Sequence, residues 1–287
     1  MEQAADVGVV MATRDRADDV VATLRRLDAL PERPPVVVVD NASSDGTAAR
    51  VAATFPDVVV ERLPANLGAA GRAVGAAVLD TPLVAFSDDD SWWAPGALSL
   101  AASRFAADDG LGLLAATVLV GRAERPDPVT EAMGTSPLAS RVPPGSGVPV
   151  LGFLACGAIV RRRAFLEAGG FEPRYGVGGE EELLALDLAR AGWRVEHHPE
   201  VVAHHHPSRG SRDPEARRRR QVRNALLTGL LRHRGPDVAR RLASLAAVTP
   251  PRTFVGGLRE LVPDVGWALS CRRPLGPELR KTVRLLS

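Results

Sequence analysis

The sequence predicts an α/β protein: a mostly parallel sheet with helices on both faces, followed by a helical C-terminal extension. Three observations lead there. Short β-branched runs, of the kind buried on both faces, alternate with segments of helical period between residues 7 and 90. Three of these runs close on polar or acidic residues, at Thr13, Asp40 and Asp88, and ligands of such sheets bind beyond the carboxyl ends of the strands. From Pro214 onward the pattern is helical and Arg-rich, broken by Pro236, Pro250-Pro251, Pro263 and Pro274.

Residues 7–12 read as a buried strand. Over 17–30, Val20, Leu24, Leu27 and Leu30 fall at helical spacing, and Pro31, Pro34 and Pro35 end the helix. Residues 36–39 are a second strand; Ser43, Ser44 and Asp45 then offer N-caps to a helix over 47–54. Residues 58–60 form a third strand, Asn66-Leu-Gly68 opens a small-residue helix running to 79, and the strand over 83–86 runs straight into Ser87-Asp-Asp-Asp90. Residues 122–149, rich in Pro, Gly and Ser, predict a long loop. An apolar segment over 151–160 follows, then a short helix over 161–168 stopped by Gly169-Gly170. A helix over 180–190, a short strand over 193–195 and His204-His-His206 complete this region, with a boundary placed between 1–212 and 213–287.

Composition bounds the function. The 287 residues suit one large domain with an appendage, and 45% hydrophobic with 24% charged residues excludes a disordered or coiled-coil chain. A net charge of +2 is too balanced for a general nucleic-acid binder, so no nucleic-acid partner is expected. Cys156 and Cys271 make no disulfide framework and point to a reducing compartment. The start, Met1 to Asp6, lacks the basic and apolar regions of a signal peptide. The apolar stretch over 111–120 is far short of the roughly 18 residues of a membrane span. The expected location is cytoplasmic, with a peripheral contact at the inner face of the membrane left open.

Three consecutive carboxylates at a strand end need a positive partner. On extended backbone Asp88 and Asp90 point the same way and can converge on one cation, with Asp89 turned elsewhere. An oxygen-rich site of this kind suits Mg²⁺ or Mn²⁺. Asp40, at the end of the second strand, can accept hydrogen bonds from a ribose or a base, or simply turn the chain and cap the next helix. No Gly-x-Gly-x-x-Gly or Walker-type loop follows the first strand, which disfavours a dinucleotide or P-loop protein.

Together these pieces resemble the inverting family-2 glycosyltransferases. The resemblance rests on Val38-Val-Asp-Asn-Ala-Ser-Ser-Asp-Gly-Thr47, Asn66-Leu-Gly-Ala-Ala-Gly-Arg72, Phe86-Ser-Asp-Asp-Asp90, Gly169-Gly-Phe171, Gly179-Glu-Glu181, Ala191-Gly-Trp-Arg194 and Val202-Ala-His-His-His-Pro-Ser208. It implies a Rossmann-like nucleotide-sugar-binding sheet of the GT-A type over 1–212. It also implies a nucleotide-diphospho-sugar donor, a divalent metal (Mn²⁺ or Mg²⁺) and an acceptor that is a glycan, a lipid-linked sugar or a small molecule. Residue by residue, it implies that Thr13, Arg14 and Asp40 hold the nucleotide, that Arg72 lies near the diphosphate, and that Asp89 belongs with the donor-binding residues. Asp88 and Asp90 match the metal-binding pair, and one of His204 to His206 matches a histidine of the metal shell, with His204 placed ahead of His205. Glu181 matches the general base, with Glu180 as runner-up and Glu182 as the working carboxylate if the helix register differs. The chain departs from the family pattern at Glu181, where Asp is usual, at Ala73, where Asn is usual, and at Leu183-Leu-Ala-Leu-Asp187, which loses an Asp and an Arg.

His197 and His198 match nothing and read as structural, while Trp92 and Trp93 divide evenly between sugar shelf and core. Arg217-Arg-Arg-Arg220 is a solvated helix face or a contact for phosphate or anionic membrane, and Arg223-Asn224 is expected near the active-site mouth. The helices after it fit three placements: packed on the core, in a homodimer, or on a bilayer. Two rival functions stand beside transfer. One is a non-catalytic nucleotide-sugar or glycan-binding module with a degenerate base motif; the other is a nucleotidyltransferase, disfavoured by the weak basic loop at Arg14 and Arg16.

Overall fold

The computed structural model describes residues 6–143, 146–208 and 213–286. The predicted alternation forms: β1 (Val7–Thr13), α1 (Ala17–Asp28), β2 (Val36–Asp40), α2 (Thr47–Thr54), β3 (Val59–Arg62), α3 (Gly71–Val78), β4 (Leu83–Ser87), β5 (Ser91–Trp93), α4 (Ala97–Ala107) and β6 (Leu111–Val120). There follow β7 (Arg125–Pro126), α5 (Pro128–Gly134), β8 (Val148–Pro149), β9 (Ala158–Arg161), α6 (Arg162–Glu167), α7 (Glu180–Arg190) and β10 (Arg194–His205). The C-terminal helices are α8 (Pro214–Arg232), α9 (Gly235–Val248), α10 (Pro251–Leu261), α11 (Val265–Ser270) and α12 (Pro277–Leu285).

One sheet holds the strands in the order β3-β2-β1-β4-β9-β6-β10-β5, with β7 on β6 and β8 on β10. Among the described residues, β1, β2, β3, β4, β6 and β10 run one way and the others oppose them. The alternating faces of β1 explain its unbroken apolar run. Val10 joins one core with α3, α6 and α7, while Val9 and Met11 join the other with α1 and α4. The small residues of α3 let it lie close on the sheet: a Cβ on Gly75 would sit 2.6 Å from a Val10 methyl.

Two expectations needed correcting. The predicted loop over 122–149 contains α5, because Asp127 accepts from the Val129 amide (2.8 Å) and Pro128 stands at the first helical position. The strand predicted over 193–195 is the twelve-residue β10, which carries His204 and His205. Its Glu196-His-His-Pro-Glu200 stretch hid it, and the register against β6 shifts there, between His198 and Val202. His197 and His198 are buried and structural: the His197 ring meets the Ala115 carbonyl (3.0 Å), and His198 lies between Glu196 and Glu200.

Of the three placements open to the tail, packing on the core is the one seen for α8, α10 and α11. Val222, Leu226, Leu227 and Leu231 of α8 share a third core with Tyr175, Leu183 of α7, Leu261 and Ala268. Residues 1–5, which carry most of the signal-peptide reading, and 209–212, at the expected domain boundary, lie outside the described residues. Among the described residues no helix is long and apolar enough to cross a membrane.

The α8 attachment includes a bidentate ion pair, Arg232 to Asp187, at 2.6 and 2.7 Å, with both side chains nearly buried. Removing one partner leaves a buried charge uncompensated. Arg232→Ala is expected to lower unfolding free energy by about 3 kcal/mol, read as a fall in the urea midpoint. An unchanged midpoint would show that water satisfies Asp187.

Candidate active site

The carboxyl ends of β1, β2 and β4 open into a cavity of about 1010 Å³, closed on its far side by α8. Thr13, Arg14, Arg16, Asn41, Arg72, Asp88 and Asp89 line it, with Val177, Arg217 and Arg220. The loop after β2 holds this wall by capping rather than by reaching into it. Asp15 accepts from the Ser44 amide (2.7 Å), its own amide donates to Ser43 Oγ (2.9 Å), and Asp45 receives the amides of Ala17 (3.3 Å) and Thr47 (2.9 Å). The two loops therefore fix each other, and the Ser44 amide holds the Asp15 carboxyl below its usual range.

Asp40 does not line the cavity. Its carboxylate is fully buried, accepts from the Ser43 amide (3.0 Å) and lies 3.7 Å from Arg62, so it turns the loop. Its neighbour Asn41 lines the wall instead, joining the Leu67 amide (3.0 Å) to the Gly68 carbonyl (3.3 Å).

The acidic triplet lies in the turn between β4 and β5, where the Ser91 amide donates to the Asp88 carbonyl (3.2 Å), and its side chains divide by direction. Asp88 pairs with Arg72. Asp89 turns the other way, beneath the strand, and accepts from Thr13 Oγ1 at 2.9 Å. Burial, then the charges of Asp88 and Asp90, push its pKa up to about 6. Asp90 accepts from the Ser208 amide (3.0 Å) and meets His205 Nε2 at 3.3 Å. Asp88, Asp90 and His205 each bring one ligand atom into a group lying within 4.8 Å. Burial opposes the charged His205 ring, but the Asp90 hydrogen bond and charge outweigh it and raise its pKa.

His204, expected ahead of His205, faces away from this group. Successive residues of a strand point to opposite faces. His204 meets Glu124 (2.7 Å) and stacks on Trp92, whose ring centroid is 5.4 Å away. Arg26 covers the same indole at 3.5 Å, and Trp93 is fully buried, so neither tryptophan lines the cavity.

Glu180, Glu181 and Glu182 occupy the first turn of α7 and divide by direction. Glu182 is held by Arg241 through both oxygens, and none of the three glutamates is among the residues that line the cavity. Glu180 is buried and accepts from the Gly178 amide. Glu181 is half-buried and accepts from the Gly179 amide (3.2 Å). Burial raises the pKa of both, and each feels the charge of Arg72. The amides they use depend on glycine: Gly178 and Gly179 have φ of 111° and 92°.

Sequence reading missed Cys156, and it named Asn224 and Gly68 without the contacts they make. Cys156 is buried among Asp88, Arg72, Asp90 and Glu181, and burial pushes its thiol pKa well up. Asn224, fully buried on α8, donates to the carbonyls of Tyr175 (3.0 Å) and Gly178 (2.7 Å) and so sets the loop before α7. Gly68 (φ 58°) leaves room for the Gly176 carbonyl, which a Cβ would meet at 2.7 Å. Of the Arg-Asn pair expected near the mouth, Arg223 lines a recess that shares Asn66, Gly68, Val177 and Arg220 with the cavity, and it is bound to Asp264 and the Arg174 carbonyl.

This arrangement, an acidic strand end beside a cavity in a largely parallel sheet, is that of a nucleotide-sugar-dependent transferase. The family model for glycosyl transferase family 2 matches residues 8–170, more than half of the chain, and the chain belongs to that family. A curated relative, the N-acetylglucosaminyl-diphospho-decaprenol L-rhamnosyltransferase of Mycobacterium tuberculosis, is 28% identical over 241 residues, covering 72% of this chain and 78% of the relative. Among solved structures, the fold is similar to that of a mannosyltransferase from Pyrobaculum calidifontis in complex with GDP-Man and Mn²⁺. The TM-score is 0.60 at 21% identity, with 98% of this chain and 84% of that one covered. It is also similar to S. aureus TarS in complex with UDP-GlcNAc, with a TM-score of 0.61 at 14% identity and coverage of 93% and 83%. The GT-A fold and glycosyltransferase activity follow, and they displace the binding-module and nucleotidyltransferase readings.

Asp89 gives a stability test. Its folded pKa of about 6 lies above the ordinary 3.8, so wild-type stability falls as pH rises through roughly 4 to 6. In EDTA above pH 7, Asp89→Asn is expected to be more stable than wild type by roughly 3 kcal/mol, with the gap closing below pH 4. Equal denaturation midpoints across that range would show that Asp89 is not held against ionisation. Asn224→Ala is expected to keep donor binding and lose about tenfold or more in kcat, read by steady-state kinetics.

Proposed function

We propose that this glycosyltransferase is metal-dependent and inverting, and that it moves a deoxyhexose of the L-rhamnose type from a nucleoside-diphosphate donor to a lipid-diphosphate-linked sugar. The observation that carries the metal reading is the convergence of Asp88, Asp90 and His205 within 4.8 Å at the end of β4. Two carboxylates with one imidazole fit Mn²⁺ at least as well as Mg²⁺, which prefers an all-oxygen shell. Bound there, the ion would neutralise charge growing on the leaving diphosphate. The sugar and acceptor are supported by the mycobacterial relative, whose name gives an L-rhamnosyl transfer to a decaprenol-linked sugar.

The chain's own residues supply the remainder. Thr13, Arg14 and Asn41 offer polar groups to the nucleotide along the cavity wall. Arg72 balances Asp88 before the donor arrives and faces the diphosphate afterwards. Glu181 takes the proton of the acceptor hydroxyl as that oxygen bonds to the anomeric carbon. The bond from that carbon to the diphosphate oxygen breaks, its electron pair leaving with the diphosphate. Attack opposite the leaving group inverts the centre. Glu181 is chosen over Glu180 because it is the more exposed of the two; burial raises the pKa of both and does not separate them. A lipid-borne acceptor places the mouth near a bilayer, and the exposed Val248, Val255, Val262 and Leu269 of the C-terminal helices suit that contact.

The test is turnover of nucleotide-linked L-rhamnose with a short-chain polyprenyl-diphospho-N-acetylglucosamine, with and without EDTA. Glu181→Gln is expected to lower kcat by about 10²–10⁴ with donor binding kept, and His205→Ala to raise the Mn²⁺ concentration needed. A product of retained anomeric configuration, or full activity in EDTA, would overturn the mechanism.

A further inference from the structure

The arginines of α8 fall into two groups. Arg219 is paired with Glu260 (3.1 Å) and Glu215 (3.9 Å), Arg223 with Asp264, and Arg232 with Asp187. Arg217 and Arg220, one turn apart, have no carboxylate partner among the described residues, yet both line the active-site cavity. Arg218, between them in sequence, also lacks such a partner but does not line the cavity. Asp213 lines the same cavity but pairs with neither among the described residues, and two guanidinium groups one helical turn apart there favour a multivalent anion between them.

Arg220 also borders a second recess of about 450 Å³, shared with Arg174, Tyr175 and Arg223. Thr13, Arg14, Arg72 and Asp88 do not line that recess. Arg217 does not border that recess, so an anion held between the two arginines lies in the active-site cavity itself, at the wall formed by α8, and one drawn toward Arg220 moves toward the recess and away from Thr13, Arg14, Arg72 and Asp88. We infer that Arg217 and Arg220 form a clamp for the diphosphate of the lipid-linked acceptor, separate from the donor's diphosphate. This deepens the acceptor reading above and rests on it. The clamp would hold the acceptor through its diphosphate and leave the sugar hydroxyl to meet the donor.

The experiment measures equilibrium binding without chemistry, using farnesyl diphosphate as the soluble prenyl diphosphate, farnesol as the uncharged control, and UDP, GDP and dTDP with Mn²⁺ for the donor site. Farnesyl diphosphate is added with the nucleotide site already saturated. In the Arg217→Ala/Arg220→Ala double variant its affinity is expected to fall roughly tenfold or more, while nucleotide affinity and the melting temperature stay as in wild type. Arg218→Ala is expected to change none of these. Three results would overturn the clamp: no farnesyl diphosphate binding by wild type, binding no better than that of farnesol, or a loss in the double variant that appears equally for the nucleoside diphosphate. The last would assign both arginines to the donor. Because binding is read apart from turnover, a protein that binds farnesyl diphosphate through these arginines but transfers no sugar would refute the transfer reading and leave the clamp standing.

Discussion

The site depends on one buried cation. Arg72 pairs with Asp88 from the end of β4 and feels the charges of Glu180 and Glu181 from the start of α7. Burial alone would lower its pKa, and these carboxylates together raise it instead. The converse also holds: acids from two distant stretches of chain stand close together because a guanidinium lies within reach of them. The composition of α3 follows from this. Gly71 packs beside Asn41 and Gly75 against Val10 and Val39, so the helix that carries Arg72 lies low enough to bury it.

The same constraint makes α8 part of the site rather than an appendage. Its Asn224 fixes the glycine loop before α7, its Arg232 fixes Asp187 within α7, and Arg241 of α9 draws Glu182 aside. Only with those contacts made does the acidic turn present Glu181 toward Arg72 while Glu180 stays buried. The boundary placed at 212 follows composition, and α8 makes contacts across it with Tyr175 and α7.

The sheet was legible because its strands are buried on both faces and carry their period as plain apolar runs. The metal-type cluster was half legible. Asp88 and Asp90 converge as expected, though from the turn between β4 and β5 rather than from extended strand, and choosing among three adjacent histidines required knowing that they begin on a strand and which face is inward. Polar β10 concealed that, since Glu196 to Glu200 carry no apolar signal and a register shift interrupts the ladder. Asp40 was ambiguous because a carboxylate at a strand end serves a ligand or a loop equally well; in the structure one buried oxygen accepts from the Ser43 amide and turns the loop, while Oδ2 has no hydrogen-bond partner among the described residues. Cys156 had no local signal at all, and Asn224 was singled out by sequence without the carbonyls it binds. Their positions come from tertiary contacts.

The departures from the family pattern lie where the structure can absorb them. Ala73 is turned toward Gly170 and the core beneath α3, not toward the cavity, so the missing amide takes nothing from the wall. In Leu183-Leu-Ala-Leu-Asp187 the lost polar residues are replaced by Leu183, which joins the core with α8, and by Asp187, which takes Arg232 as its partner. A Glu at 181 is one methylene longer than Asp, and its carboxylate folds back to the Gly179 amide. The extra reach is thus taken up by a local hydrogen bond. The altered motif is held by the apolar packing of Leu183, the Asp187–Arg232 pair and the Gly179 amide.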